Sequence, residues 1–287
     1  MSTVYVSRSA RPALIEYLRQ QGHIPFFVCE NGQSSPLPNP AAPAACFVDP
    51  FIATHPDIYF CKLGADSGAP VFTGDQASLS AHYPHDSQYN AACLGKLFIH
   101  NPDCTSPSLA KAASKSGLIF IRVRQGYTKC SIVTVTDRAA ITSDAGIAKA
   151  LAAAGARIVT PKTTAALDTG SNSDCELSPP SATARVSAAG LDLLLVHPGF
   201  VLLPGFPTGF LGGTSGRISR PGQETDEIVF HGDLTAHPDF ESIVSFIESR
   251  RLSVKFFPGF PLTDIGSIIQ AGPCPDPQSA NPQIIAS

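Results

Sequence analysis

Ile228-Val-Phe-His-Gly-Asp-Leu-Thr-Ala-His-Pro-Asp-Phe-Glu-Ser-Ile-Val-Ser-Phe-Ile247 is the stretch on which the reading of this chain turns. Its apolar start predicts a buried strand, its middle a polar turn, and its end an amphipathic helix. Phe240, Ile243, Val244 and Ile247 fall at i, i+3, i+4 and i+7, on one apolar face. The turn carries His231, Asp233, His237 and Asp239 within nine residues, a set able to do acid–base or metal chemistry.

Three further segments repeat the helix, a stop and a strand. They are Pro12–Gly22 before Ile24–Val28, Ser106–Gly117 before Leu118–Val123, and Asp144–Gly155 before Ala156–Thr160. Pro12, Pro107 and Pro238 suit a first helical turn, and Gly22, Gly117 and Gly155 suit the left-handed residue after the last one. Upstream, Ala140–Asp144 and Ile228–Asp233 run from an apolar strand into an acid and then a helix. Ala69–Asp75 begins in the same way, but Ala81-His-Tyr-Pro84 interrupts its helix. The repeating unit is therefore strand, strand, helix, strand, with four clear copies and a degenerate fifth. That pattern predicts stacked or radially arranged modules. The competing arrangement, a Rossmann-type sheet, is weakened because no phosphate-cradling glycine motif follows any strand.

The chain has 287 residues, 43% of them hydrophobic and only 15% charged, which is a globular composition with a weakly charged surface. A net charge of −3 with scattered basic residues argues against a nucleic-acid or anionic-membrane partner. No apolar run approaches the roughly 18 residues of a membrane span, and Met1–Arg8 has no signal-peptide pattern, so a cytoplasmic protein is expected. The eight cysteines are widely spaced without Cys-x-x-Cys, which favours free thiols over bridges or structural zinc. Residues 31–45, 161–189 and 272–287 are rich in Pro, Ser, Thr or Ala. We read one domain over 1–271, with loop insertions at 31–45 and 161–189, and a Pro-rich tail at 272–287.

Tyr89-Asn-Ala-Ala92, Gln125-Gly-Tyr-Thr-Lys-Cys-Ser131, Thr142-Ser-Asp-Ala-Gly-Ile-Ala-Lys149, Gly209-Phe-Leu-Gly-Gly-Thr-Ser-Gly216, Gly232-Asp-Leu-Thr-Ala-His-Pro-Asp239 and Asp264-Ile-Gly-Ser-Ile268 occur in that order. Together they resemble an uncharacterised bacterial family of the guanidino-group-modifying-enzyme fold. The resemblance implies a pentein, a five-bladed α/β propeller of ββαβ modules with a central polar pocket. It also implies a guanidino or related cationic ligand handled by a Cys nucleophile, a His and paired carboxylates. The expected Gly-x-x-His-Cys is replaced here by Gly266-Ser-Ile-Ile-Gln270, so Ile269 and Gln270 stand where His and Cys would be. Cys274 follows between two prolines. The usual nucleophile is thus absent or displaced.

The candidate catalytic residues are His231 and Asp233, as general base and substrate anchor, and Cys130 as the thiol. Lys129 beside Cys130 would favour a thiolate, while a buried cysteine opening the strand Cys130–Val135 would be inert. Asp57, at the start of the apolar strand Thr54–Lys62, is a candidate second carboxylate. Asn90, Lys129 and Asp144 are further substrate-binding candidates at module junctions. Asp144 and Asp233 also suit helix capping. The Gly-rich run from Gly199 to Gly216 could bring backbone N–H groups close to an anion or carboxylate. Three functions remain open: a small-molecule binder or hydrolase acting on a guanidino compound, a non-catalytic binding protein, and a zinc-dependent hydrolase built on His231, Asp233, His237 and Asp239. No cofactor is expected, and the sequence does not give the oligomeric state.

Overall fold

The computed structural model describes residues 2–37, 48–161 and 188–273. The segments expected at 31–45, 161–189 and 272–287, with Cys274, lie largely outside those residues.

Backbone pairing sorts the strands into five small sheets. In the first, β1 (Ser2–Ser7) runs through helix α1 (Pro12–Gln20) into the parallel β2 (Ile24–Val28), and β3 (Ser34–Ser35) pairs antiparallel with β2. A one-turn helix α2 (Pro56–Tyr59) then leads into the antiparallel pair β4 (Phe60–Lys62) and β5 (Val71–Thr73). The third sheet contains β6 (Ala92–Leu94), β7 (Leu97–His100), helix α3 (Pro107–Lys115) and the parallel β8 (Ile119–Arg122). The fourth begins with a second one-turn helix, α4 (Thr128–Ser131). It continues through β9 (Ile132–Thr136), β10 (Ala139–Thr142), α5 (Ala145–Ala153), β11 (Arg157–Val159) and β12 (Asp192–Leu195). The fifth holds β13 (Ser215–Ile218), β14 (Glu227–Phe230), α6 (Phe240–Glu248) and β15 (Ser253–Lys255). The last strand, β16 (Ile269–Pro273), returns to pair antiparallel with β1.

Pro12 and Pro107 open their helices as expected, whereas Pro238 precedes its helix, which starts at Phe240 after the N-cap Asp239. Gly22, Gly117 and Gly155 all have positive φ after their helices, where a side chain would clash with the backbone. The acids at the strand–helix junctions are caps. Asp144 accepts from the Ile147 N–H at 2.8 Å, while Asp75 and Asp233 accept from Ala77 and Thr235 at the head of short 3-10 turns. Ile243 and Ile247 of α6 are fully buried against Ile228 and Phe230, as Leu14 and Leu18 of α1 are against Val4 and Val6. Each such side chain contributes roughly 1.5–3 kcal/mol of burial.

The expected five-bladed propeller is overturned. In chain order the sheets hold four, two, three, four and three strands, they remain separate, and none closes or curls into a propeller; the fold is mixed α/β. The strand–strand–helix–strand order does recur in β6–β7–α3–β8 and β13–β14–α6–β15, but it does not make equal modules. After β5 only the three-residue turn Gln76–Ser78 forms, because that segment offers no apolar face for a helix to bury. The fourth sheet instead adds β12 between β10 and β11. Two local expectations also change. Cys130 and Asp57 lie in the one-turn helices α4 and α2, and the strands start after them, at Ile132 and Phe60.

One edge strand of each sheet packs against the next: β4 on β6, β6 on β9, β9 on β13, and β13 on β16. Immediately before each of these five strands the chain makes a tight turn, and those turns converge. Among the described residues no helix is long and apolar enough to cross a membrane.

Candidate functional site

Each converging turn delivers a polar side chain. Asp57 comes from α2, Asn90 from the turn before β6, and Lys129 and Cys130 from α4. The turn before β16 supplies Asp264 and Ser267. The 3-10 turn Gly212–Thr214 before β13 supplies backbone. Asp57 Oδ2 accepts the Cys130 S–H at 3.0 Å and the Ser267 O–H at 2.7 Å. Asn90 fixes the other side of α4. Its Oδ1 accepts from the Lys129 and Cys130 N–H groups at 2.8 and 3.1 Å, and its Nδ2 donates to Cys130 Sγ at 3.2 Å. Lys129 Nζ donates to Ser267 Oγ at 3.2 Å.

Asp264 completes the group. Its Oδ2 accepts from the Phe210 N–H and its Oδ1 from the Gly266 N–H, both at 2.9 Å. His55 Nδ1 lies 3.9 Å from Oδ1. Two glycines make this approach possible. A Cβ on Gly213 would sit 2.0 Å from Asp264 Oδ1, and one on Gly266 would sit 2.1 Å from the His55 Cβ. The Gly-rich run thus does present an N–H to a carboxylate, but to the protein's own Asp264.

Burial sets the electrostatics. Asp57 and Ser267 are 0% exposed, Asp264 2% and Cys130 3%. Desolvation disfavours each charged form. It raises the Asp57 pKa, with Asp264 adding to the rise and His55 opposing it. It raises Asp264 to about 6, against the pull of the two N–H groups and Lys129. It pushes Cys130 well above the usual thiol range, and both carboxylates push it further. His55 is lowered to about 4, and Lys129 is lowered as well. Cys130 is therefore a protonated donor to Asp57, and the expected thiolate favoured by Lys129 does not form. Asp57 Oδ1 is buried without a hydrogen-bond partner among the described residues.

His231 and Asp233 lie outside this cluster. His231 Nε2 accepts from the Arg11 N–H at 3.0 Å, and Nδ1 donates to the Thr263 carbonyl at 3.1 Å. Its ring packs on Phe260, and burial lowers its pKa to about 4. With both nitrogens occupied it braces two loops and is not a base for Cys130. Asp233 and Asp144 cap helical turns, and Asp144 also accepts from Gln125. The four zinc candidates are not brought to one point: His237 and Asp239 lie 3.9 Å apart, while His231 and Asp233 make the separate contacts above. Asp239 pairs with His197 at 2.9 Å, His237 accepts from the Asp239 N–H, and among the described residues no three such side chains are grouped to hold a metal.

Of the predicted site residues, the structure brings together Asp57, Asn90, Lys129 and Cys130. It sets His231, Asp233 and Asp144 apart. Sequence reasoning missed His55, Asp264 and Ser267 as chemistry. The available signal was Asp264-Ile-Gly-Ser267, an acid and a hydroxyl around a glycine in the last turn before a strand.

A family of unknown function, DUF6873, matches residues 68–165 and 180–269, well over half of the chain. The chain belongs to DUF6873. The matched DUF6873 region includes Asn90, Lys129, Cys130, Asp264 and Ser267, whereas His55 and Asp57 precede it. No curated protein and no solved structure matches the chain.

Proposed function

We propose that this DUF6873 protein binds a small cation of the guanidinium or ammonium type at Asp57 and Asp264, without covalent catalysis by Cys130. The observation that carries this reading is the orphaned Asp57 Oδ1: a carboxylate oxygen with no exposure and no donor among the described residues. Such an atom is costly unless a donor reaches it. A guanidinium would supply paired N–H donors and the charge that both buried carboxylates need. Lys129 provides the nearby positive charge, and a ligand would take over that role. The thiol supports a binder rather than a hydrolase, because it is protonated and spends its hydrogen on Asp57. We place this role in the cytoplasm, where the five free cysteines among the described residues stay reduced.

A thermal-shift screen of methylguanidine, agmatine and putrescine tests the reading. A shift with a cation that is lost in Asp57→Asn supports it. The absence of a shift with any of the three refutes it. Release of ammonia or urea from a bound guanidine would replace binding by hydrolysis.

A further inference from the structure

A pocket of about 30 Å³ lies where the five edge strands meet, and it takes residues from all five sheets. Three of its walls are cationic: Lys62 at the end of β4, Lys129 from α4 and Arg217 from β13. Hydroxyls of Thr134 and Ser215 and the backbone of Gly216 complete the polar lining, and no carboxylate lines it. We propose that this pocket is a binding site for an oxyanion, a phosphate or carboxylate group held among Lys62, Lys129 and Arg217.

The three cations are not equally compensated. Arg217 is anchored by Asp226 at 2.8 Å and Asp66 at 3.4 Å. Lys129 donates to Ser267 and has Asp57 and Asp264 nearby. Lys62 has only the Ser67 carbonyl at 3.0 Å, and among the described residues no carboxylate lies within ion-pairing distance of it. Burial, then Arg217 and Lys129, lower its pKa to about 7, against the smaller opposing pull of Asp226 and Asp66. A half-buried ammonium facing two other cations is relieved by an anion placed between them. The volume is two to three times the roughly 10–15 Å³ that one water needs, which suits the head of a small oxyanion. Gly216 lets β13 approach the chain leading into β16, since a Cβ there would sit 2.0 Å from the Ile268 carbonyl oxygen.

This site is distinct from the Asp57–Asp264 cluster, although Lys129 borders both. The test is titration calorimetry of the full chain with inorganic phosphate and with acetate at constant ionic strength, using chloride as the non-oxyanion control. Phosphate or acetate should bind and chloride should not. Preference between the first two tells a phosphate site from a carboxylate site. Lys62→Met, which keeps the side-chain length, should weaken the oxyanion by about tenfold or more, the loss expected for one charge-assisted hydrogen bond. Lys62→Gln serves if the methionine variant does not fold, with circular dichroism as the check. The titrations contain no guanidinium or ammonium ligand, so failure of the cation site leaves this result readable. Equal binding of chloride, no heat with either oxyanion, or undiminished binding in folded Lys62 variants would overturn the proposal.

Discussion

The thiol of Cys130 points at Asp57, 3.0 Å from Oδ2, across 73 residues of chain. This contact joins two one-turn helices that precede different edge strands, and it fixes the chemical character of both groups. The thiol donates, the carboxylate accepts, and neither is set up as a nucleophile.

Cys130 should therefore resist modification in the folded protein. Its pKa lies well above that of a free thiol and it is 3% exposed. Alkylation with iodoacetamide at pH 8, followed by mass spectrometry, should label Cys130 at least about tenfold more slowly in native protein than in urea. Rapid native labelling would show an activated thiol.

Asp57→Ala takes the acceptor from the Cys130 S–H and leaves the Ser267 O–H only the Gly212 carbonyl to donate to. Urea denaturation should show a loss of about 1–3 kcal/mol. Asp57→Asn keeps an acceptor and the shape, and removes the cost of burying a charge. It should stay within about 1 kcal/mol of the parent.

Acid should destabilise the fold through its histidines. Burial holds His55, His100 and His231 near 4 in the folded state. The unfolded chain therefore binds more protons between pH 6.5 and 4, and stability falls as pH drops through that window. Each histidine contributes up to about 3 kcal/mol of this loss. Asp264 works in the opposite sense: its raised value of about 6 gives stability that is present below pH 4 and lost as pH rises through 6. Asp57 and Asp86 are raised in the same sense as Asp264, and His23 and His237 are lowered like the other histidines, so five histidines oppose three carboxylates. Denaturation curves at pH 4.5, 5.5 and 6.5 should show a net loss toward acid, and His231→Gln should flatten the slope by about one proton.

The glycines under the cluster should be intolerant. Gly213→Ala meets Asp264, and Gly266→Ala meets His55 from a backbone at φ 71°. Overpacking and, at Gly266, left-handed strain should cost about 2–4 kcal/mol. Gly259→Ala, with nothing within 4 Å of the added carbon, is the control and should be nearly silent.

Asp144→Ala and Asp233→Ala remove caps and should each cost about 1 kcal/mol, measured by thermal or urea unfolding. Cation binding should survive both. A loss of binding with intact stability would restore Asp233 to the site.

What was legible in the sequence was local. Helices α1, α3, α5 and α6, with their stops and caps, rest on residues a few positions apart. Asp57, Asn90, Lys129 and Cys130 stood out because they sit at turns before strands, which is where the fold collects its polar groups. Their pairing was not legible, because Asp57 meets Ser267 from 210 residues away. His231 misled for the same reason. His-x-Asp looks like a catalytic pair, but the partner that decides its role is the Arg11 backbone, 220 residues distant. The propeller expectation extended a real helix–strand repeat to whole modules. Strand number in each sheet depends on non-local pairing, and there the copies diverge.

Titration calorimetry of methylguanidine into the parent protein and Asp57→Asn tests the central claim most directly. The account predicts saturable binding to the parent, tightening as pH rises through about 6 where Asp264 ionises, and no binding to the folded variant. Absence of binding to the parent across that range, or equal binding to Asp57→Asn, would contradict it.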